Sequence, residues 1–353
     1  MKKSLWFAVG LLVVSSTRSF AASQAAVLFL QISPGAKAAG MGETFVAMAD
    51  DATAVYWNPA GLAFQTGTEI TLMHAKWLPQ LVSDMSYEFL AFKRYMPNLG
   101  GTLGGNITFL NLGENVQTLE GGPEVVGTFH SWDMAASVSY GTQLNKNLGV
   151  GVTMRYILSH LSPMGAGAEE GNGIGHSFSV DLGVLYKFWF APSLSFGANL
   201  SNMGPKITYV DAAQADPLPT NLKLGFGYKV MNSEFNKLTV LIETNKELVH
   251  GYYNSKNEWK TDPFYKAIFT SWSEGSFKDQ LNSLVSSLGM EYVYDNMISL
   301  RAGYFYDEDG NRKYPAFGAG LKYSMLKFDF AYVAAEKGHP LSDTMRFSLT
   351  FDF

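Results

Sequence analysis

The sequence predicts an all-β protein: a transmembrane antiparallel β-barrel of about 14 strands with an N-terminal plug segment. Three observations predict it. Beyond residue 66 apolar residues recur with a period of two, in segments long enough to cross a bilayer. The connections between those segments alternate between short and long. Only 16% of the 353 residues are charged, while 14% are aromatic and 35 are glycine. A soluble globular chain carries roughly 25% charged residues.

The N-terminus supplies an address. Lys2 and Lys3 precede the apolar run Leu5 to Val14, and Ser19-Phe20-Ala21 fits a small-x-small cleavage site. Residues 1–21 therefore read as a secretory signal peptide. Ten apolar residues are too few to span the ~30 Å hydrocarbon core as a helix. Removal of Lys2, Lys3 and Arg18 leaves 23 basic residues against 31 acidic ones, a formal charge of −8. That balance argues against nucleic acid as a partner. Zero cysteine excludes disulfides, thiol catalysis and thiolate-ligated metals.

Residues 22–65 break the alternating pattern. Gly35-Ala36-Lys37-Ala38-Ala39-Gly40-Met41-Gly42 is rich in small residues that let backbones pack closely. Asp51 is suited to cap a helical turn over Ala52 to Tyr56. Asn58 is suited to cap a second turn, with Pro59 at its first position and Gly61 as the left-handed residue that ends it. Val46, Val55, Tyr56, Trp57 and Leu62 need burial, so a compact segment ahead of a barrel fits best as a plug inside it.

Residues 66–353 read as the outer-membrane barrel. Strands are expected at about 67–77, 85–95, 101–112, 129–141, 147–160, 176–188, 193–202, 219–230, 237–246, 285–294, 297–306, 313–323, 325–334 and 345–353. The last nine residues show the pattern best: Met345, Phe347, Leu349, Phe351 and Phe353 alternate with Arg346, Ser348, Thr350 and Asp352. Charges on the other face of the strands include Glu88, Arg155, Asp181, Lys223, Glu243, Glu291, Arg301, Lys322, Asp329 and Arg346. Facing lipid near the midplane, each would cost about 2–4 kcal/mol, so they are assigned to the lumen. Even-numbered connections are short and odd-numbered ones mostly long, the rim asymmetry of an outer-membrane barrel. With a periplasmic N-terminus, the short turns are periplasmic and the long loops face outward.

The longest loop, 247–284, carries Tyr252, Tyr253, Trp259, Phe264, Tyr265, Phe269 and Trp272. Asp262-Pro263 suggests a helix start, and Ser276 with Asp279 suggests a capping box before Phe277 and Leu281. This aromatic composition suits a partner-binding surface; the same rings also suit a lid on the barrel or a belt at the membrane surface. The six histidines are scattered without metal-ligand spacing, and no nucleophile-elbow, zincin or phosphate-loop motif occurs. No catalytic residue, metal or cofactor is expected.

The stretch from Gly35 to Ala63 resembles the N-terminal signature of the FadL-like outer-membrane superfamily, and within it the PorV/PorQ group. The matching residues are Gly35, Ala36, Ala38 to Gly42, Phe45 to Ala47, Ala49 to Asp51, Ala54 and Trp57 to Leu62. Glu43 departs from the pattern, standing where a small residue is expected. The resemblance implies a plug or gate motif at Gly40, Gly42, Asp50, Asp51, Trp57, Asn58, Pro59, Ala60 and Gly61. It implies an outer-membrane protein of type IX secretion that holds or shuttles exported proteins at the cell surface. Its partners are then outer-membrane lipid, exported cargo proteins and secretion-machinery components. The alternative implied by FadL-type relatives is transport of hydrophobic small molecules, with a lipid-like ligand in the lumen.

Overall fold

The computed structural model describes residues 23–118, 122–163, 172–211 and 214–353. The expected signal peptide, residues 1–21, lies outside the described residues, as does most of the glycine-rich stretch from Gly165. Fourteen antiparallel strands form one closed barrel. In chain order the first nine are β1 (Thr68–Lys76), β2 (Ser86–Met96), β3 (Gly101–Thr118), β4 (Val125–Asn145), β5 (Leu148–Ser162), β6 (Gly173–Lys187), β7 (Leu194–Met203), β8 (Asn221–Asn232) and β9 (Asn236–Glu247). A separate two-stranded hairpin follows, β10 (Gly251–Tyr253) with β11 (Trp259–Thr261). The wall resumes with β12 (Val285–Tyr294), β13 (Ile298–Asp307), β14 (Arg312–Tyr323), β15 (Leu326–Val333) and β16 (Thr344–Asp352).

Closure pairs β1 with β16, placing Ile70 opposite Phe351 and Leu72 opposite Leu349. No sheet edge is then left for lipid to contact, which the bilayer interior demands. The outward-facing residues of these strands are apolar and exposed, as with Leu72, Phe92, Phe178, Leu300, Phe317 and Phe347. The inward set is polar and buried, as with Arg155, Asp181, Glu243, Glu291, Arg301, Asp329 and Arg346.

Four details differ from the sequence expectation. Glu88 faces outward, because the inward positions of β2 are Tyr87, Phe89 and Ala91. Its charge is met by His74 Nδ1 on the neighbouring strand, 2.7 Å away. Strands β3 and β4 run to 18 and 21 residues, far beyond the ~9–11 that cross a bilayer, and so project as a ribbon. Their pairing continues past a bulge between Asn111 and Glu114. The hairpin β10–β11 lies within the expected loop 247–284, because three-residue strands carry no resolvable period. Residue 23 lies at the long-loop rim, although β1 itself starts at the short-turn rim, where Thr68 N donates to Phe353 O.

The reason for the last difference is a thread through the lumen. Ser23 Oγ donates to Glu247 at the outer end of β9, and Ala26 N donates to Pro217 O. From there the chain descends as a 3-10 turn (Leu28–Gln31), helix α1 (Ala36–Gly40), helix α2 (Ala54–Trp57) and a second 3-10 turn (Pro59–Phe64). Its apolar residues, with Phe45, Val55, Trp57 and Leu62 at 0–1% exposure, form the main buried cluster together with Tyr87, Phe89 and Ile157 of the wall.

Candidate functional site

Within this internal segment the run Asn58 to Gly61 lies against the wall of β4 to β6, while Gly40 and Gly42 lie against β13 and β14. Asn58 is fully buried, and its Oδ1 accepts Ala60 N at 3.1 Å, closing the first turn after Pro59. Its Nδ2 donates to Val46 O at 2.8 Å and to Val184 O of β6 at 3.0 Å. One side chain therefore caps a turn, ties the segment to itself and ties it to the barrel. Beside it, Trp57 donates from Nε1 to Pro34 O at 3.1 Å and packs edge-on to Phe45 and Tyr56. The Lys223 ammonium stands 4.4 Å from the centre of a Trp57 ring, and Asn199 Nδ2 donates to Trp57 O at 3.1 Å.

Two local expectations change. Gly61 is not left-handed; it sits within the 3-10 turn, where a Cβ would overlap the Ala49 carbonyl. Smallness, not conformation, explains glycine there. Helix α2 starts at Ala54, and Asp51 caps the preceding turn instead, its Oδ1 accepting Thr53 N at 2.9 Å. Gly42 does need its left-handed φ of 65° and lies against the Tyr304 backbone. Gly40 meets Gly318 of β14 backbone to backbone, leaving no room for a side chain on either. Asp50 takes the Lys37 ammonium at 2.6 Å. Burial works against the Lys37 charge, but the carboxylates of Asp50 and Glu291 outweigh it and hold the ammonium above its ordinary range.

The wall contributes half of this contact, and the motif alone does not reveal that half. A Cβ on Gly151 of β5 would overlap Pro59, and one on Gly183 of β6 would overlap Asn58 Oδ1. The wall charges act as tethers. Glu243 of β9 accepts both Phe45 N and Val46 N at 2.8 Å. Glu69 of β1 accepts Ala52 N at 2.7 Å, and Arg346 of β16 donates to Ser33 O and pairs with Glu43 at 2.8 Å. Glu43, the residue that departs from the small-residue pattern, is thus one end of an ion pair between segment and wall. Other wall charges satisfy one another: Arg155 binds Asp181 with two hydrogen bonds, and Arg301 joins Glu291 to Asp329. The signal for these partners is inward parity combined with charge or glycine.

The segment divides the lumen. The inner chamber comprises two overlapping cavities of about 400 Å³ each, bordered by Asp50, Glu69, Lys229 and Asp352. An outer chamber of about 410 Å³ is bordered by Gln31, Glu247, Glu274 and Arg312 and shares no lining residue with the inner one. Both chambers are lined largely by charged and polar side chains.

At the outer rim the long loop presents its rings. Helix α3 (Phe264–Thr270) follows Asp262, which does not cap it. That carboxylate is instead a hub, accepting from His250 Nδ1, Lys266 Nζ and Thr270 Oγ1 at 2.7–2.8 Å. Burial alone would raise the Asp262 pKa, but these hydrogen bonds outweigh it and hold the carboxyl below its ordinary range. Helix α4 (Phe277–Asn282) has the expected capping box between Ser276 and Asp279. Tyr253 and Trp259 pack edge-to-face across the hairpin, Tyr252 stacks on His250, and Phe264 is half-buried. Tyr265, Phe269 and Trp272 are exposed; Phe269 shows 76% of its surface and Phe277 79%.

Among the described residues no group of three or more acidic or histidine side chains has metal-binding geometry. A comparison with curated proteins finds no match. Among solved structures, the toluene transporter TbuX of Ralstonia pickettii matches with a TM-score of 0.53 at 13% identity, over 91% of this chain and 98% of that one. The toluene transporter TodX of P. putida matches with a TM-score of 0.54 at 13% identity, over the same shares. At such identities these likenesses establish the fold. The family model for type IX secretion system protein PorV matches residues 15–253. The chain belongs to the PorV family, outer-membrane β-barrels of the type IX secretion system.

Proposed function

We propose that this barrel holds exported proteins at the cell surface through its outer loops, while residues 22–65 act as a plug that seals the lumen. Membership of the PorV family carries the reading. Two features support it. The aromatic side chains of the long loop, Tyr265, Phe269 and Trp272 foremost, stand exposed on the outer side, the composition of a protein interface. Wall glycines and charges grip the segment around Asn58 to Gly61, so opening the lumen would mean breaking many hydrogen bonds at once. The secretion machinery and the outer membrane are its setting; the cargo is an exported protein recognised by those rings. The protein acts by binding, without catalysis.

The second reading is a channel for apolar small molecules, favoured by the shared fold with the toluene transporters. The charged lining of both chambers weighs against it, because an apolar solute would have to cross a polar interior. Purification from outer membranes in mild detergent, with mass spectrometry of what accompanies the barrel, separates the two. Co-purifying secretion components and surface proteins are expected. A solitary barrel carrying only lipid-like molecules would favour the channel.

A further inference from the structure

The outer chamber has an unbalanced chemistry. Its lining carries six carboxylates against three cations; Glu43 and Asp307 are paired with arginines, Arg346 and Arg312, which leaves four carboxylates against Lys223 and Lys246. Arg312 is bound to Asp307, Lys246 donates to Ser283, and Lys223 is turned onto the Trp57 ring. Four buried lining atoms lack any hydrogen-bond partner: Gln24 Oε1, Asn221 Oδ1, Glu274 Oε1 and Gln280 Oε1. All four are acceptors, and Asn221 is only 6% exposed. A fifth orphan, Ser271 Oγ, can accept as well as donate. Asp309, on the loop between β13 and β14, makes no hydrogen bond or ion pair among the described residues.

We propose that this outer chamber is a binding site for a primary ammonium group, carried by a lysyl side chain or by a free alkylamine. An ammonium offers three donors and one positive charge, which match the chamber's orphan acceptors and its excess of carboxylates. A buried acceptor left without a donor is costly, so a ligand that satisfies these atoms is favoured. Glu247 anchors the site. Its carboxylate is held in place by Ser23 Oγ at 2.9 Å and by Gln31 Nε2 at 2.5 Å, both from the internal segment. Burial, with Asp307 and Asp279 nearby, pushes the Asp309 carboxyl above its ordinary range, and burial does the same to Glu274. Among the described residues Glu274 has His250 Nε2 at 3.9 Å, and Asp309 makes no ion pair. The site does not depend on what the barrel carries; it requires only that the chamber be reached from the long-loop side.

The test uses the full chain in detergent micelles and dansylcadaverine as a fluorescent probe. Saturable binding is expected, with little binding of the analogue bearing a hydroxyl in place of the terminal amine. Glu247→Gln and Asp309→Asn should each weaken probe binding tenfold or more; Asp309 lies on an exposed loop, so that variant leaves the barrel folded. Competition by acetyl-glycyl-lysyl-glycinamide well below the concentration needed for cadaverine would identify the lysyl form, and the reverse order the free amine. Equal binding of the hydroxyl analogue would overturn the proposal. So would failure of every amine to bind.

Discussion

Trp57 and Phe269 make opposite use of an aromatic ring, and the contrast separates the two working regions of this barrel. Trp57 has no exposed surface; its N–H is bonded, its faces are packed, and a cation lies over it. Phe269 leaves 76% of its surface in solvent, on a seven-residue helix with one buried residue, Ala267. The internal segment is fixed by many partners from eight or more strands, whereas the outer loop rests on a few, Asp262 chief among them. Rigidity is placed across the lumen, and unspent apolar surface at the long-loop rim.

Several substitutions would break or sharpen that contrast. The largest effect is expected from Gly151→Val, whose side chain has no space beside Pro59. The segment should be displaced, turning a closed lumen into a conducting one in planar bilayers; unchanged conductance with a folded barrel would mean that the segment does not seal it. Trp57→Ala removes a fully packed ring and should cost about 3–5 kcal/mol in denaturant unfolding. Glu243→Gln keeps the shape but removes the charge that accepts Phe45 N and Val46 N. A loss of about 1–3 kcal/mol is expected, read from the same unfolding curves.

The loop should loosen in acid. The folded-state pKa of Asp262 lies below the unfolded value of about 3.9. Its contribution is therefore complete above that pH and is lost as pH falls through the folded value. Asp262→Asn should increase protease nicking between residues 248 and 284 at neutral pH, with the barrel intact; equal nicking of variant and parent would remove Asp262 as the hub. The smallest effect on stability, within about 0.5 kcal/mol, is expected from Phe269→Ser with Phe277→Ser, since both rings are exposed. The same pair should abolish co-purification of surface proteins, and retained complexes would move the docking surface elsewhere.

Much of this architecture is local in origin. A period of two, strand lengths near the bilayer requirement and the alternation of short turns with long loops determine a barrel and its strand count, because each is a property of consecutive residues. The Asn58-Pro59 turn and the Ser276–Asp279 box are equally local, since cap and capped group lie within three residues. Glu88 shows the limit of this reading. One strand's inward parity depends on its register with its neighbours, and only the pairing to His74 reveals it.

Tertiary structure alone decided the partnerships across the lumen. Glu243 meets Phe45 across 198 positions of sequence, and Arg346 meets Glu43 across 303. No spacing rule reaches that far, because these contacts exist only once the sheet has closed around the segment. Closure also decided that the thread starts at the outer rim, that Gly151 and Gly183 are cradles for Pro59 and Asn58, and that the outer chamber gathers acceptors without donors. The sequence by itself determined a barrel with something inside; the physics of burying that segment against a polar wall determined which residues hold it there.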